Sequence, residues 1–497
     1  MIAMGKEFVN SRLALTDGPR AVYNDSVAEN HSYQNEGGRT MLEKLFKLKE
    51  NHTTAKTEIM AGITTFMTMA YILAVNPSTM TAFNDILGLE GSARMNPGGV
   101  FMATALAAVI GTLIMAFAAN YPFALAPGMG LNAYFCYTVV VGMGYSWQTA
   151  LTAVFVEGII FIILSMTNVR EAIFNAIPQT LKIAVGCGIG IYIAFIGMQN
   201  AKIVANNDST LVSFYDFSGD TFAAEGIGVL LAIIGVLITA FLVIKRVKGG
   251  ILLGILITWI LGIICQLTGL YQGASLLPDF SQGLQIGALA DVAFKLDFSN
   301  IFSLDFLVVV FAFLFVDMFD TLGTLIGVAS KADMLDDQGR LPRIRGALFA
   351  DAVATVAGAL LGTSTTTTFV ESATGVTEGG RTGLTSFTVA VLFGLSVFLS
   401  PVFLAIPSFA TAPALIIVGF YMMGSVTKID FDDFAEAIPA YICILAMPFF
   451  YSISEGIAMG VITYVVLNLL AGKAKEKKIS LLMYVLAVLF VLKYIFL

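Results

Sequence analysis

Three carboxylates stand in segments that are otherwise apolar. Two lie in Phe315-Val-Asp317-Met-Phe-Asp320-Thr321-Leu-Gly-Thr324. Offsets of three, four and seven place Asp317, Asp320, Thr321 and Thr324 on one face of a helix. The third, Glu371, belongs to Gly362-Thr-Ser-Thr-Thr-Thr-Thr-Phe-Val-Glu-Ser-Ala-Thr-Gly375. An acid at membrane depth is costly and marks a functional site by default. A carboxylate there can accept from the N–H groups of a ligand, and a carboxyl can load and release a proton. The competing interpretations are a structural acid pair satisfied by neighbouring threonines, and a surface loop for the threonine run. Threonines followed by Thr368, Phe369 and Val370 favour an extended strand over a helix. Irregular backbone at membrane depth is tolerated only where it is buried in protein or lines a cavity.

Further candidates stand around these acids. Asn132 closes Tyr121-Pro-Phe-Ala-Leu-Ala-Pro-Gly-Met-Gly-Leu-Asn132 and offers both a donor and an acceptor, for a ligand or for a neighbouring helix. Glu157 and Asp351 are also intramembrane acids, with packing and functional roles equally open. Phe369, Phe123 and Tyr71 are stacking surfaces for a flat ligand, or simply core.

The elements that must position these residues follow from composition. The chain has 497 residues, 57% hydrophobic and 12% charged. Soluble domains carry about 25% charged residues. The fold class expected is an all-α polytopic membrane protein. A span needs about 20 apolar residues. About fourteen spans fit that rule, some short or broken, at 58–78, 99–119, 122–141, 148–167, 183–199, 225–244, 249–270, 305–329, 345–361, 365–381, 384–406, 412–424, 437–451 and 454–471. Residues 1–40 are polar, contain no signal peptide and are expected to be disordered. Residues 41–56 form a basic lead-in, and 480–497 is an extra apolar segment after a basic linker. Cys136, Cys187, Cys265 and Cys443 are too scattered for a disulfide framework or a metal site. His31 and His52 lie outside the apolar segments, so no metal or histidine catalysis is expected in the membrane. No P-loop motif is present, so the chain carries no ATPase of its own.

Arg170, Lys182, Lys245, Arg246, Lys248, Lys331, Arg340, Arg343, Arg345, Arg381, Lys428 and the lysines at 473–478 fall in alternate loops. Arg94, Lys202 and Lys295 fall in the others. This asymmetry predicts a cytoplasmic N-terminus. The two broken segments, around Pro122–Pro127 and around the threonine run, are each third in a group of seven. An odd number of spans per half makes the repeats inverted, and matched interruptions point to a transporter's binding site.

Together these strings resemble the nucleobase–cation symporter family that includes the xanthine and uracil permeases. They resemble most its azaguanine–hypoxanthine–adenine branch. The motifs are Ala61-Gly-Ile-Thr-Thr-Phe-Met-Thr-Met-Ala-Tyr-Ile-Leu-Ala-Val-Asn-Pro77, Ala126-Pro-Gly-Met-Gly-Leu-Asn-Ala133, Val316-Asp-Met-Phe-Asp-Thr-Leu-Gly-Thr324, Gly362-Thr-Ser-Thr-Thr-Thr-Thr-Phe-Val-Glu-Ser372 and Thr411-Ala-Pro-Ala-Leu-Ile-Ile-Val-Gly419. The resemblance runs from about residue 41 to the C-terminus. It implies a 7+7 inverted repeat, with a core from 58–167 and 305–406 and a gate from 183–270 and 412–471. Segments three and ten would contain short strands. It implies a substrate site of Asp317, Glu371, Asn132, Thr368, Phe369 and Val370, and proton coupling through Asp320, Asp317 and Glu371. It also implies a homodimer.

The function expected is proton-coupled import of purine bases, guanine or hypoxanthine before adenine, across the plasma membrane. No cofactor other than the proton and no nucleic-acid partner is expected. A site of carboxylates without basic side chains argues against an anion as substrate. The alternatives are another nucleobase (xanthine, urate or uracil) or an anion on the same fold, a channel, and, remotely, an intramembrane aspartyl hydrolase. Two acids three apart on one helix make a poor aspartyl dyad, and the chain is not expected to be an enzyme.

Overall fold

Segments that must bury their backbone in a bilayer are helical wherever glycine, proline or threonine runs do not interrupt them. A computed structural model describes residues 41–166, 177–219, 221–281, 286–331, 334–336 and 341–496. The extension 1–40, with Arg170 and Arg340 of the charge pattern, lies outside the described residues. Eleven helices among the described residues are long and apolar enough to cross a membrane. Three more apolar helices are shorter: Met129–Gly142, Phe434–Phe449 and Leu481–Leu492. The expected spans that fall short of crossing length as single helices have local causes. The segment at 122–141 begins as a strand, and the one at 365–381 is a strand followed by the short helix Ser372–Thr377. Phe434–Phe449 carries Pro439 and Pro448 inside it.

Helix starts follow capping chemistry. Thr54, Ser146, Thr382, Asp433 and Ser452 each accept from a backbone N–H of the first turn. Asp433 also draws in the linker that follows the last long helix. Lys477 pairs with Asp433, and with Glu436 at 3.2 Å. The Lys477 ammonium holds the Asp433 carboxyl below its usual range. Beyond it Leu481–Phe496 is a helix against Ile453–Leu470, with Phe490 6.0 Å from Phe311. The expected lead-in is a single short helix, Met41–Phe46, whose Phe46 ring packs on Phe117.

Glycine sets how closely the later helices approach. Gln179–Asn200 packs on Ser408–Met423 and on Phe434–Phe449. At the first crossing a Cβ on Gly419 would sit 2.3 Å from the Gly190 carbonyl, and one on Gly190 would sit 2.6 Å from the Gly419 carbonyl. The two backbones touch, as small-residue membrane interfaces allow. Gly419→Val is expected to destabilise the protein by about 1–3 kcal/mol or more, because backbone cannot yield. Thermal unfolding in detergent checks this, and a wild-type melting point would mean that these helices do not touch. The neighbouring pair Ile227–Ile244 and Gly250–Leu267 interlocks likewise, Gly235 facing Thr258 and Gly254 facing Thr239.

Among the described residues four strands form two antiparallel pairs. Strands β2 (Val204–Asn207) and β3 (Leu211–Phe214) make a hairpin, half-buried along β2, between the expected spans 183–199 and 225–244. Strands β1 (Leu125–Pro127) and β4 (Thr366–Thr368) pair inside the molecule, with Leu125 opposite Thr368 and Pro127 opposite Thr366.

Candidate functional site

The pairing of β1 with β4 brings together the two broken segments, more than 230 residues apart in the chain. Pro127 has no N–H and the ladder is short, so other groups must satisfy the buried backbone. At the strand ends the Phe369 amide donates to the Ala124 carbonyl (2.9 Å) and the Gly128 amide to that of Thr365 (3.0 Å). Buried hydroxyls supply the rest. The Leu125 amide donates to Thr112 Oγ1 at 2.9 Å, and the Ala124 amide to Ser372 Oγ at 3.0 Å. Ser386 Oγ reaches the Tyr121 and Phe123 carbonyls, and Thr355 Oγ1 donates to Thr366 O at 3.1 Å. The Thr368 amide donates to Asp351 Oδ1 at 3.2 Å. Thr363 to Thr368 are all buried. The threonine run is therefore a buried strand and no surface loop.

A cavity of about 390 Å3 opens against this strand pair. Its walls include Tyr71, Gly128, Asp320, Thr324, Phe369 and Glu371. Glu371 precedes the helix Ser372–Thr377, and its Oε1 accepts from Tyr71 Oη at 2.7 Å. Thr368 and Val370 also line the cavity, Val370 with 46% of its surface exposed. Gly128 allows close approach, since a Cβ there would lie 2.9 Å from Thr367 Cγ2 and 3.5 Å from Asp320 Oδ2. Glu371 and Asp320 thus face one space from different elements.

The helix Leu304–Lys331 divides its polar residues. Asp320, Gly323, Thr324 and Gly327 line the cavity. Asp317 and Thr321 are fully buried on the adjoining face. A three-residue step leaves side chains about 60° apart on a 3.6-residue helix. The single polar face expected from the spacing is therefore two faces. Thr321 Oγ1 lies 3.0 Å from Asp317 Oδ1, 2.8 Å from Asp351 Oδ2 and 2.8 Å from Thr367 Oγ1. A hydroxyl donates only one proton. Both carboxyl contacts are hydrogen bonds only when one of the two acids is protonated and donates to Thr321.

Asn132 is buried behind the strands. Its Oδ1 accepts from Ser364 Oγ, and its Nδ2 has no partner among the described residues. Glu157 Oε2 accepts from Thr365 Oγ1 at 2.8 Å. Neither Asn132 nor Asp317 reaches the cavity wall, whereas Glu371, Asp320, Thr368, Phe369 and Val370 do.

The opposite wall comes from Gln179–Asn200 and Ser408–Met423, through Ile189, Val418 and Tyr421. Sequence inspection singled out none of these, because an apolar residue facing a cavity has the same type as one facing lipid. Lys182 and Lys428 line the cavity as well. This corrects the expectation of a site without basic side chains. Both lysines lie at ends of elements that pack against the cavity, Lys182 near the start of Gln179–Asn200 and Lys428 at the end of Gly424–Lys428. Loop lysines by sequence position, they are cavity residues by packing. Tyr71, one of several aromatics in the sequence, owes its place in the site to the hydroxyl on Glu371.

The xanthine/uracil permease model, described as "Permease family", matches residues 56–484. Guanine/hypoxanthine permease PbuG of Bacillus subtilis is 43% identical over 463 residues, covering 92% of this chain and 100% of that protein. Adenine permease AdeQ of Escherichia coli is 40% identical over 464 residues, covering 93% of this chain and 97% of that protein. Among solved structures, the transmembrane domain of the cyanobacterial bicarbonate transporter BicA superposes with a TM-score of 0.58 at 16% identity. It covers 82% of this chain and 97% of that domain, a likeness of fold alone. The chain is a multi-pass membrane transporter rather than an enzyme, and it belongs to the xanthine/uracil permease family.

Proposed function

We propose that the protein imports purine nucleobases, guanine and hypoxanthine before adenine, driven by protons across the plasma membrane. The observation that carries this is the Glu371 carboxylate, fixed by Tyr71 on the wall of a cavity that also holds Asp320. Tyr71 takes up one lone pair of Oε1, and an ionised carboxylate has further acceptor sites for a ring N–H. A hydrogen bond to a charged acceptor contributes about 1.5–3 kcal/mol. Hypoxanthine and guanine offer such N–H groups. Phe369, Tyr71 and Tyr421 supply flat apolar surface for a planar base. The relatives PbuG, a guanine/hypoxanthine permease, and AdeQ, an adenine permease, agree with this chemistry.

Asp320 is the proton carrier at the cavity, and Asp317 and Asp351 form a buried acid pair beneath β4, bridged by Thr321. The cavity takes one wall from 58–167 and 305–406 and the other from 183–270 and 412–471. Movement of a gate made by the second set against a core made by the first would expose the site to each side in turn. The positive-inside pattern supports a cytoplasmic N-terminus. The proton is the only cofactor in this scheme, and the assembly is a homodimer.

The test is uptake of labelled hypoxanthine by cells lacking their own purine permeases. Saturable uptake that a protonophore abolishes, and that guanine competes away while uracil does not, is the expected result. Uptake indifferent to the protonophore would remove the proton coupling. No uptake of any purine, from protein shown to be in the membrane, would remove the substrate assignment.

A further inference from the structure

A second cavity, of about 690 Å3, shares no lining residue with the first. Its walls include His52, Thr53, Tyr121, Arg343 and Arg381. Arg343 precedes the helix Ile344–Leu361 with a left-handed φ of 58°. Its guanidinium folds back over the Tyr121 ring, 4.7 Å from the centroid. Tyr121 Oη in turn donates to the Pro342 carbonyl. Arg381 Nη1 donates to the carbonyls of Val376 at 2.7 Å and Gly380 at 2.8 Å. Both guanidiniums are thus held in place by a ring or by carbonyls, and the nearby buried Glu58 carboxylate is taken up by the Arg381 amide at 2.9 Å, the Thr382 amide at 3.2 Å and Thr385 Oγ1 at 2.6 Å. Among the described residues neither side chain forms an ion pair with a carboxylate. Glu50, which also faces the cavity, is engaged by Lys47 Nζ at 3.3 Å. Thr53 Oγ1 is out of contact with water and has no partner among the described residues.

We propose that this cavity binds a small anion bearing a phosphate ester, of the size of a mononucleotide. Arginine forks suit phosphate, and two preorganised ones lose less freedom on binding than flexible lysines. Inorganic phosphate alone would leave most of the 690 Å3 unfilled. The site adjoins both broken segments. Tyr121 stacks on Phe123, with ring centroids 5.0 Å apart, just before β1. Arg381 lies a few residues beyond the helix that starts after Glu371. An occupant would brace the far ends of both segments and so restrain transport. That consequence rests on the transport role proposed above, whereas the binding itself does not.

The test uses the purified full chain in phosphatidylcholine nanodiscs. Guanosine monophosphate and inorganic phosphate are titrated by calorimetry, with hypoxanthine binding measured on the same samples. The mononucleotide is expected to bind saturably, and phosphate more weakly. R343Q, at an exposed position, is expected to weaken the mononucleotide about tenfold or more while leaving hypoxanthine binding unchanged. If neither soluble probe binds but phosphatidylglycerol raises the melting temperature of wild type and not of R343Q, the phosphate ester is a lipid headgroup. No response to any of the three probes, or equal responses in wild type and R343Q, overturns the proposal. Hypoxanthine binding with no anion binding would leave the transport assignment intact. Anion binding lost in R343Q, with no hypoxanthine binding in wild type, would remove the transport assignment and leave this one.

Discussion

Glu371→Gln is expected to lower kcat/KM for hypoxanthine uptake by about 100-fold, with the protein still present in the membrane. The substitution keeps shape and removes charge. A hydrogen bond to a charged acceptor contributes about 1.5–3 kcal/mol, and each 1.4 kcal/mol is a factor of ten. The amide also competes for Tyr71. Tyr71 Oη now donates to Glu371 Oε1 at 2.7 Å, and in the variant the acceptor is a neutral amide oxygen whose NH2 faces the ligand's own donors. A donor facing a donor leaves both unsatisfied, which costs about 1–3 kcal/mol when buried. Labelled uptake, normalised to surface protein, measures the effect. Uptake at the wild-type rate would mean that Glu371 does not contact the substrate.

Asp320→Asn is expected to abolish accumulation of hypoxanthine against its gradient while sparing exchange between internal and external hypoxanthine. Asp320 lines the cavity on the same face of its helix as Thr324, and its Oδ2 lies close to the Gly128 backbone where β1 passes into the next helix. Asparagine preserves the volume and cannot carry a proton. A carrier that binds its substrate but has lost its titrating group still equilibrates the substrate, and the proton gradient no longer does work on it. The expected accumulation ratio falls to about one, the value for a carrier without a driving ion. Exchange after preloading separates this outcome from misfolding, which would abolish both. Accumulation equal to wild type in D320N would assign the coupled proton elsewhere, and the Asp317–Thr321–Asp351 cluster is then the place to look. The two substitutions therefore separate binding from coupling, although both residues face one cavity.

Much of the architecture was legible in composition and local pattern. Apolar runs located the helices because a bilayer leaves the backbone no alternative to internal hydrogen bonds. The strand in the threonine run was legible because β-branched residues disfavour helix and because prolines break its counterpart at 122–127. The acids stood out because charges at membrane depth are rare. The hairpin of β2 and β3 leaves no such mark: Val204–Asn207 and Leu211–Phe214 are four residues each, too short for a clear alternation.

Local pattern alone identifies a polytopic membrane protein with two interrupted segments and singles out the acids Asp317, Asp320 and Glu371. Those conclusions depend on hydropathy, backbone propensity and the cost of charge, which act locally. Where each acid sits, and which groups it meets, came from packing. It put Asp320 and Glu371 on one cavity and turned Asp317 toward Asp351, because residues three apart on a helix diverge enough to meet different neighbours. It joined Tyr71 to Glu371 across 300 residues and brought Lys182, Ile189 and Tyr421 to the opposite wall. Such contacts depend on which helix faces act against each other, and that depends on the packing of the whole chain.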